Sequence, residues 1–385
     1  MVASSRSDSS VLGAMSVREF LRNYWQKRPL LIRGAIPGFE PLVSLEDLRS
    51  LAARDDVESR VVSAFQGRWK LAHGPFTHLP RSKRDWTLLV SGVNLYKPAV
   101  DAFLQRFAFL PYTRLDDVMV SYAVSGGSVG PHYDSYDVFL VQAQGRRRWR
   151  VGAQQDLSLV EDLPLKVLKN FEPSHEWLVE TGDILYLPPH IAHEGVALQP
   201  CTTYSVGFRA PAYSELAREF LYSLADTIDL PGRYQDPSRV PSSHPAHLED
   251  RMLRELREQL SRIRWNASDV SRFAGRYFSE PKAHVYFDAP KRMTPARFMA
   301  MVGRSGLKVD ARTRLIYRGS DIFINGEVCA FGQGEHTWLA DFANQRYASP
   351  SQCRVGLAHS ELKEALYEWY CAGWIIMGAP IRDKT

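Results

Sequence analysis

Cysteine is scarce: the 385 residues hold four, Cys201, Cys329, Cys353 and Cys371, with no close pair among them. That spacing argues against a thiolate zinc cluster or a disulfide framework, and reduced thiols in a cytosol are the simplest account. No apolar run reaches membrane-spanning length, so a cytoplasmic protein without a membrane partner is expected. The opening MVASSRSDSS lacks the apolar segment of a secretory signal and reads as a frayed tail. Excess charge of one sign is also small: 48 Lys and Arg against 43 Asp and Glu leave +5. That suits an acidic or RNA-associated partner but is too little to imply direct nucleic-acid binding. What remains is an ordinary globular composition, 45% hydrophobic and 24% charged, over a length that allows two or three domains.

The informative stretch is Gly130 to Val151, GPHYDSYDVFLVQAQGRRRWRV. His132 and Asp134 stand two residues apart, and on an extended strand such residues point to one face, where both can grip one metal ion. An imidazole and a carboxylate, completed by a distant histidine, form the facial set that leaves open positions on a non-haem iron. Alone, a His-x-Asp pair is a weak signal. Its company is TGDILYLPPHIAHEG, Thr181 to Gly195. Gly182-Asp183 signals a turn, Ile184 to Leu187 a short strand, and Pro188-Pro189 a stop. His193 is the expected third ligand. His190 competes, but directly after two prolines it belongs to the strand connection. Read singly, these histidines are ordinary polar residues of a β-barrel; the two halves together favour the metal.

Along the chain, Ser16 to Trp25 has helical spacing, Leu30 to Ile32 reads as a strand, and a helix follows Ser44. Arg60 to Ala64 and Trp69 to Ala72 read as strands joined at Gln66-Gly67, and Asp85 to Val93 as another before a helix at Pro98 to Phe109. From Asp117 short strands dominate, which fits an antiparallel barrel with the metal at its mouth. Alternation after the Gly145 turn puts Arg147 on one face and Arg146 and Arg148 on the other. After Pro211 the pattern turns helical, and Leu253, Leu256, Leu260 and Ile263 mark one stripe of a charged helix. From about Glu280 helices accompany an alternating Leu307 to Ile324 hairpin and the strong turn signal Asn325-Gly326, which suggests a winged helix. Glu361, Glu364 and Glu368 on the last helix suit a protein contact better than a phosphate-lined groove.

The segments PHYDSYDVF, GRRRWRVG, GDILYLPPHIAHEG and TTYSVGFRAP resemble the bacterial ribosomal oxygenases of the Jumonji-C type, which are Fe(II)- and 2-oxoglutarate-dependent arginyl hydroxylases. The resemblance runs from about Ser16 to the C-terminus. It implies an α+β chain: a double-stranded β-helix (cupin/Jumonji-C) barrel over 1–210, a helical dimerisation segment over 211–279, and a winged-helix-like domain over 280–385. It also implies iron on His132, Asp134 and His193, with 2-oxoglutarate as cosubstrate held by a basic residue at Arg147. Many Jumonji-C proteins, the eukaryotic histidyl hydroxylases among them, have lysine there; arginine matches the bacterial branch. Asp117 and Tyr136 are the expected acid and ring for a substrate guanidinium, while Asp137 is expected to face away from His132. The implied substrate is an arginine of a large-subunit ribosomal protein, the sixteenth of the series, and the implied assembly is a homodimer. The rivals are a Jumonji-C histidyl hydroxylase or lysine demethylase, a cupin-type metal isomerase, and a winged-helix regulator whose barrel senses a ligand.

Overall fold

A computed structural model describes residues 11–65 and 68–378. The expected N-terminal tail and the Gln66-Gly67 turn lie outside those residues.

The first unit is built on antiparallel strands. They are β1 (Leu30–Ile32), β2 (Ser59–Phe65), β3 (Arg68–His73), β4 (Trp86–Val90), β5 (Leu115–Ala123), β6 (Val138–Gln144), β7 (Arg147–Gly152), β8 (His175–Val179), β9 (Ile184–Leu187), β10 (Ala192–Ala197) and β11 (Cys201–Phe208). Eight pair in the order β1-β9-β6-β11-β5-β4-β2-β3, and β10-β7-β8 form a second sheet facing them. This is the double-stranded β-helix. Between the sheets, Val138, Leu140, Trp149, Val151 and Leu185 close the barrel interior.

On its outer face the large sheet carries α1 (Val17–Asn23), α2 (Leu45–Ala52) and α3 (Pro98–Gln105). Their apolar stripes bury Phe20, Leu48, Leu51 and Phe103 in one core with Phe139, Tyr186 and Tyr204 of the strands. Each such side chain removed from water contributes about 1.5–3 kcal/mol, and together they hold the sheet rigid behind the site. Ser44 caps α2 by accepting from Asp47 N, and the Asp47 carboxylate in turn accepts from Ser44 N.

Helices follow the barrel: α4 (Tyr213–Ala225), α5 (Asp250–Leu260) and α6 (Ala267–Ser279). No residue of α5 is buried, and Leu253, Leu256 and Leu260 stand 44%, 52% and 51% exposed. The stripe is therefore not part of an intramolecular core. Helix α6, not anticipated as a separate element, packs on the next unit, where Gly275 lies flat against the Phe323 ring; a β-carbon there would sit 2.3 Å from it.

The last unit comprises α7 (Pro295–Ser305), β12 (Leu307–Val309), β13 (Leu315–Arg318), β14 (Asp321–Ile324), β15 (Glu327–Ala330), α8 (Gln333–Gln345), β16 (Tyr347–Ala348), α9 (Pro350–Gly356), α10 (Ser360–Cys371) and β17 (Ile375–Met377). The expected Leu307–Ile324 hairpin is corrected: β12 leaves that ribbon to pair with β16 and β17, and the wing is the three-stranded meander β13-β14-β15. Asn325 and Gly326 turn β14 into β15 with φ of 50° and 86°, the paired positive values that a tight hairpin requires. Among the described residues, no helix is long and apolar enough to cross a membrane.

Candidate metal centre and active site

The segment from Pro131 to Asp137 departs from the expected regular strand. His132 makes an isolated antiparallel bridge to His193, and β6 begins only at Val138. Glycines at 126 and 130, both with positive φ, bend the chain in, and Gly130 passes 3.1 Å from the Trp69 ring, measured from where a β-carbon would stand. The bridge is reciprocal: His132 N donates to His193 O at 2.9 Å, and His193 N to His132 O at 2.8 Å. Asp134 is fixed through its backbone oxygen, which accepts from His190 N at 2.7 Å. His190 itself points to solvent with φ of 64° and stays out of the cluster.

Asp137 pins the other end of this segment. Fully buried, its carboxylate accepts from the Tyr186 hydroxyl at 2.6 Å, Gln26 Nε2 at 2.9 Å and Arg114 Nη2 at 3.1 Å. It thus anchors the loop from behind and faces away from His132.

His132, Asp134 and His193 each offer a ligand atom within 4.8 Å of the others. Both histidines are oriented by backbone carbonyls. Nδ1 of His132 lies 2.9 Å from Gly130 O, and Nδ1 of His193 lies 2.9 Å from Ile191 O. A carbonyl opposite Nδ1 places the proton there and leaves Nε2 as the lone-pair donor, the tautomer a metal needs. His193 Nε2 is 3.7 Å from Asp134 Oδ2. Burial, then the neighbouring His132, pushes His193 down to about 4, so its imidazole is neutral at pH 7. Two imidazoles and one carboxylate on one side of an open cavity are the donor set of a divalent first-row metal with free positions.

The cavity, about 560 Å³, runs from this cluster past Arg147, Thr87 and Leu140 to Asp117, Tyr136 and Lys282 at its mouth. Arg147 on β7 is only 6% exposed, and its Nε and Nη2 have no hydrogen-bond partner among the described residues. Its guanidinium lies 5.6 Å from the Trp149 ring centre, and that ring is 5.8 Å from His193. Trp149 can lie flat because Gly195 opposes it across the β7–β10 ladder; a β-carbon there would be 2.7 Å from the ring. A buried guanidinium with idle donors is costly by itself and fits an anionic guest, a carboxylate above all. Thr87, on β4 of the larger sheet, lines the same cavity and is a second buried donor without a partner among the described residues. Arg146 is exposed and Arg148 half-buried, on the other face.

Asp117 sits on β5, whereas Tyr136 lies in the loop before β6 rather than on a strand as expected. A β-carbon on Gly207 would be 3.9 Å from both Asp117 Oδ1 and Tyr136 Cε2, so the acid and the ring flank a slot with glycine at its floor. Burial raises Asp117, and Lys282, 3.1 Å away, opposes that rise. Burial also raises Tyr136, with Asp134 and Asp117 adding to it, so the phenol stays protonated. Thr87 and Lys282 carried no motif; only the strand pairing and a contact 165 residues long in sequence bring them here. A larger cavity of about 810 Å³, against Pro111, Tyr317 and Tyr347, has no acid, base or histidine in its walls.

Known proteins share this arrangement. The JmjC domain family matches residues 102–216, and the ROXA-like winged helix family matches residues 262–375. The chain is 35% identical over 321 residues to the ribosomal protein uL16 3-hydroxylase of Escherichia coli, covering 80% of this chain and 84% of that one. It is 40% identical over 223 residues to a probable ribosomal oxygenase of Haemophilus influenzae, covering 56% of this chain and 55% of that one. The structure of Escherichia coli YcfD superposes with a TM-score of 0.83 at 31% identity, over 94% of this chain and 98% of that one. A structure of the same ribosomal oxygenase with cobalt and 2-oxoglutarate superposes with a TM-score of 0.82 at 30% identity, over 95% and 99%. The chain belongs to the bacterial ribosomal oxygenases of the JmjC type.

Proposed function

We propose that this chain is an Fe(II)- and 2-oxoglutarate-dependent oxygenase that hydroxylates an arginine side chain of the large-subunit ribosomal protein uL16. The observation that carries this reading is the buried guanidinium of Arg147, its Nε and Nη2 without hydrogen-bond partners among the described residues, on the wall of the cavity that holds His132, Asp134 and His193. His132, Asp134 and His193 would hold the iron, and Arg147, with Thr87 lining the same cavity, the far carboxylate of 2-oxoglutarate. When bound, the iron and cosubstrate supply the oxidising power that inserts one oxygen atom of O2 into a C–H bond.

The chain's own residues then do the positioning. Asp117 pairs with the substrate guanidinium, Tyr136 gives it a flat face to stack on, and Gly207 leaves room for it. Leu140 and Trp149 line the cavity and keep water from the reacting carbon. The protein works in the cytoplasm as a homodimer, joined through the exposed stripe of Leu253, Leu256 and Leu260 on α5, continued by the half-buried Ile263 just beyond it. Glu361, Glu364 and Glu368 form an exposed acidic face on α10, which favours a protein contact over nucleic acid for the C-terminal unit.

Mass spectrometry of ribosomal proteins from cells with and without the gene tests this. A gain of one oxygen on a uL16 arginine, present only with the gene, is the expected result. Unmodified uL16 in both strains, or oxygen on a histidine of another ribosomal protein, overturns the arginyl reading. Formaldehyde release from methylated peptides would instead mark a demethylase.

A further inference from the structure

The acid assigned to the substrate is already engaged. Lys282, in the connection between α6 and α7, places Nζ 3.0 Å from Asp116 Oδ2 and 3.1 Å from Asp117 Oδ2. Arg314, just before β13, holds the other oxygen of Asp116 at 3.3 Å and donates to Leu115 O at 3.3 Å. Both cations come from within the winged-helix match, and both acids from β5 of the barrel. The four charges sum to zero. A substrate guanidinium added to that set would leave an uncompensated positive charge at a half-buried site, which is unfavourable.

One of the two resident cations can leave. Arg314 is largely buried, tied to two backbone oxygens and one carboxylate oxygen. Lys282 is 38% exposed, binds as a point charge, and its flexible stem lets the ammonium swing to solvent or retreat to Asp116 alone. The other Asp117 oxygen, Oδ1, already faces the slot between Gly207 and Tyr136. With Lys282 withdrawn from Oδ2, both oxygens become available to a planar fork.

We propose that Lys282 is an in-chain stand-in for the substrate guanidinium: it neutralises Asp117 in the free enzyme and is exchanged for the substrate arginine on binding. The inference rests on the arginyl reading above and assigns the C-terminal unit a part in substrate selection. Exchange also selects. A substrate lysine would replace one ammonium by another and gain nothing, whereas an arginine replaces a point contact by a two-pronged one.

The test is the KM of the full-length enzyme for a peptide covering the uL16 arginine, in wild type, Lys282→Met and Lys282→Arg, with thermal melting to establish that each variant folds. Removing the stand-in in Lys282→Met lowers KM on the order of fivefold, the factor expected when a half-exposed ion pair no longer has to be broken. Lys282→Arg puts a guanidinium in place within the chain and raises KM. The changes fall on KM rather than kcat. A residue that only braces the barrel against the winged helix gives the opposite order, with Lys282→Met impaired and Lys282→Arg close to wild type, and that order overturns the exchange. Should Lys282→Met fail to fold, the rise or constancy of KM in Lys282→Arg still decides. A wild type that oxidises no arginine peptide overturns the substrate reading, and the exchange falls with it; an active wild type with the bracing order overturns the exchange alone.

Discussion

Arg147→Ala probes the proposed cosubstrate site directly. The side chain is 6% exposed, and two of its nitrogens lack a hydrogen-bond partner among the described residues. Those donors are therefore free for a carboxylate guest without first breaking an internal bond. Truncating one member of a buried, hydrogen-bonded charge pair costs about 2–5 kcal/mol. At about 1.4 kcal/mol per tenfold, the KM for 2-oxoglutarate should rise between roughly 30-fold and several thousand-fold. Arg147→Lys keeps the charge but not the fork, so it should fall between the two. A second readout needs no turnover. In the free protein the unpaired guanidinium is a burden, so Arg147→Met, of similar length and apolar, should melt no lower than wild type. Added 2-oxoglutarate with a redox-inert divalent metal should then raise the melting temperature of wild type but not of Arg147→Met. An Arg147→Ala enzyme with an unchanged 2-oxoglutarate requirement would refute the reasoning and pass the anchor role to another base.

His132→Ala and Asp134→Ala should each lose metal affinity and turnover while circular dichroism stays native, since these side chains do not close the barrel; wild-type iron affinity in both would show the ligands misassigned. Paired Leu256→Glu and Leu260→Glu substitutions should give monomers in light scattering, and a wild type already monomeric at micromolar concentration would remove the dimer. Asp47 is lowered to about 2, first by its bond from Lys97 and then by its bonds from Ser44. A depressed carboxylate stabilises the fold above its unfolded value of 3.8 and loses that contribution as pH falls toward 2. Asp47→Asn should accordingly melt below wild type at pH 7, with the gap closing between pH 4 and pH 2; a gap that stays constant would mean the charge of Asp47 contributes nothing.

The chemistry lay close to the surface of the sequence because metal ligands need local spacing. His132 and Asp134 share a face although the segment is not a ladder strand, since one bridge to His193 extends it enough. His193 could be separated from His190 because the two prolines end β9, and the positive φ at His190 turns that residue out. Arg147 was legible as an alternation, but its lack of partners was not, as that depends on what β7 faces. Strand order was not readable either: β9 lies between β1 and β6 because Asp183 accepts from Gly34 N at 2.8 Å and from Arg33 at 2.7 Å, contacts across some 150 residues. The wing was read one strand short. The turn Asn325-Gly326 is local and was evident, while the departure of β12 to a sheet with β17 is not. Lys282 belongs to the same class, an unremarked lysine in a loop until the fold sets it on Asp117.

The most direct test of the central claim is to incubate the protein with Fe(II), 2-oxoglutarate and a peptide covering the uL16 arginine, and to weigh the peptide. A gain of one oxygen atom on the arginine peptide, with none on the matched peptide carrying lysine in its place, is the result predicted from Asp117, Tyr136 and the cavity they guard. Equal oxidation of both peptides, or oxidation of a histidine-containing peptide alone, would contradict it.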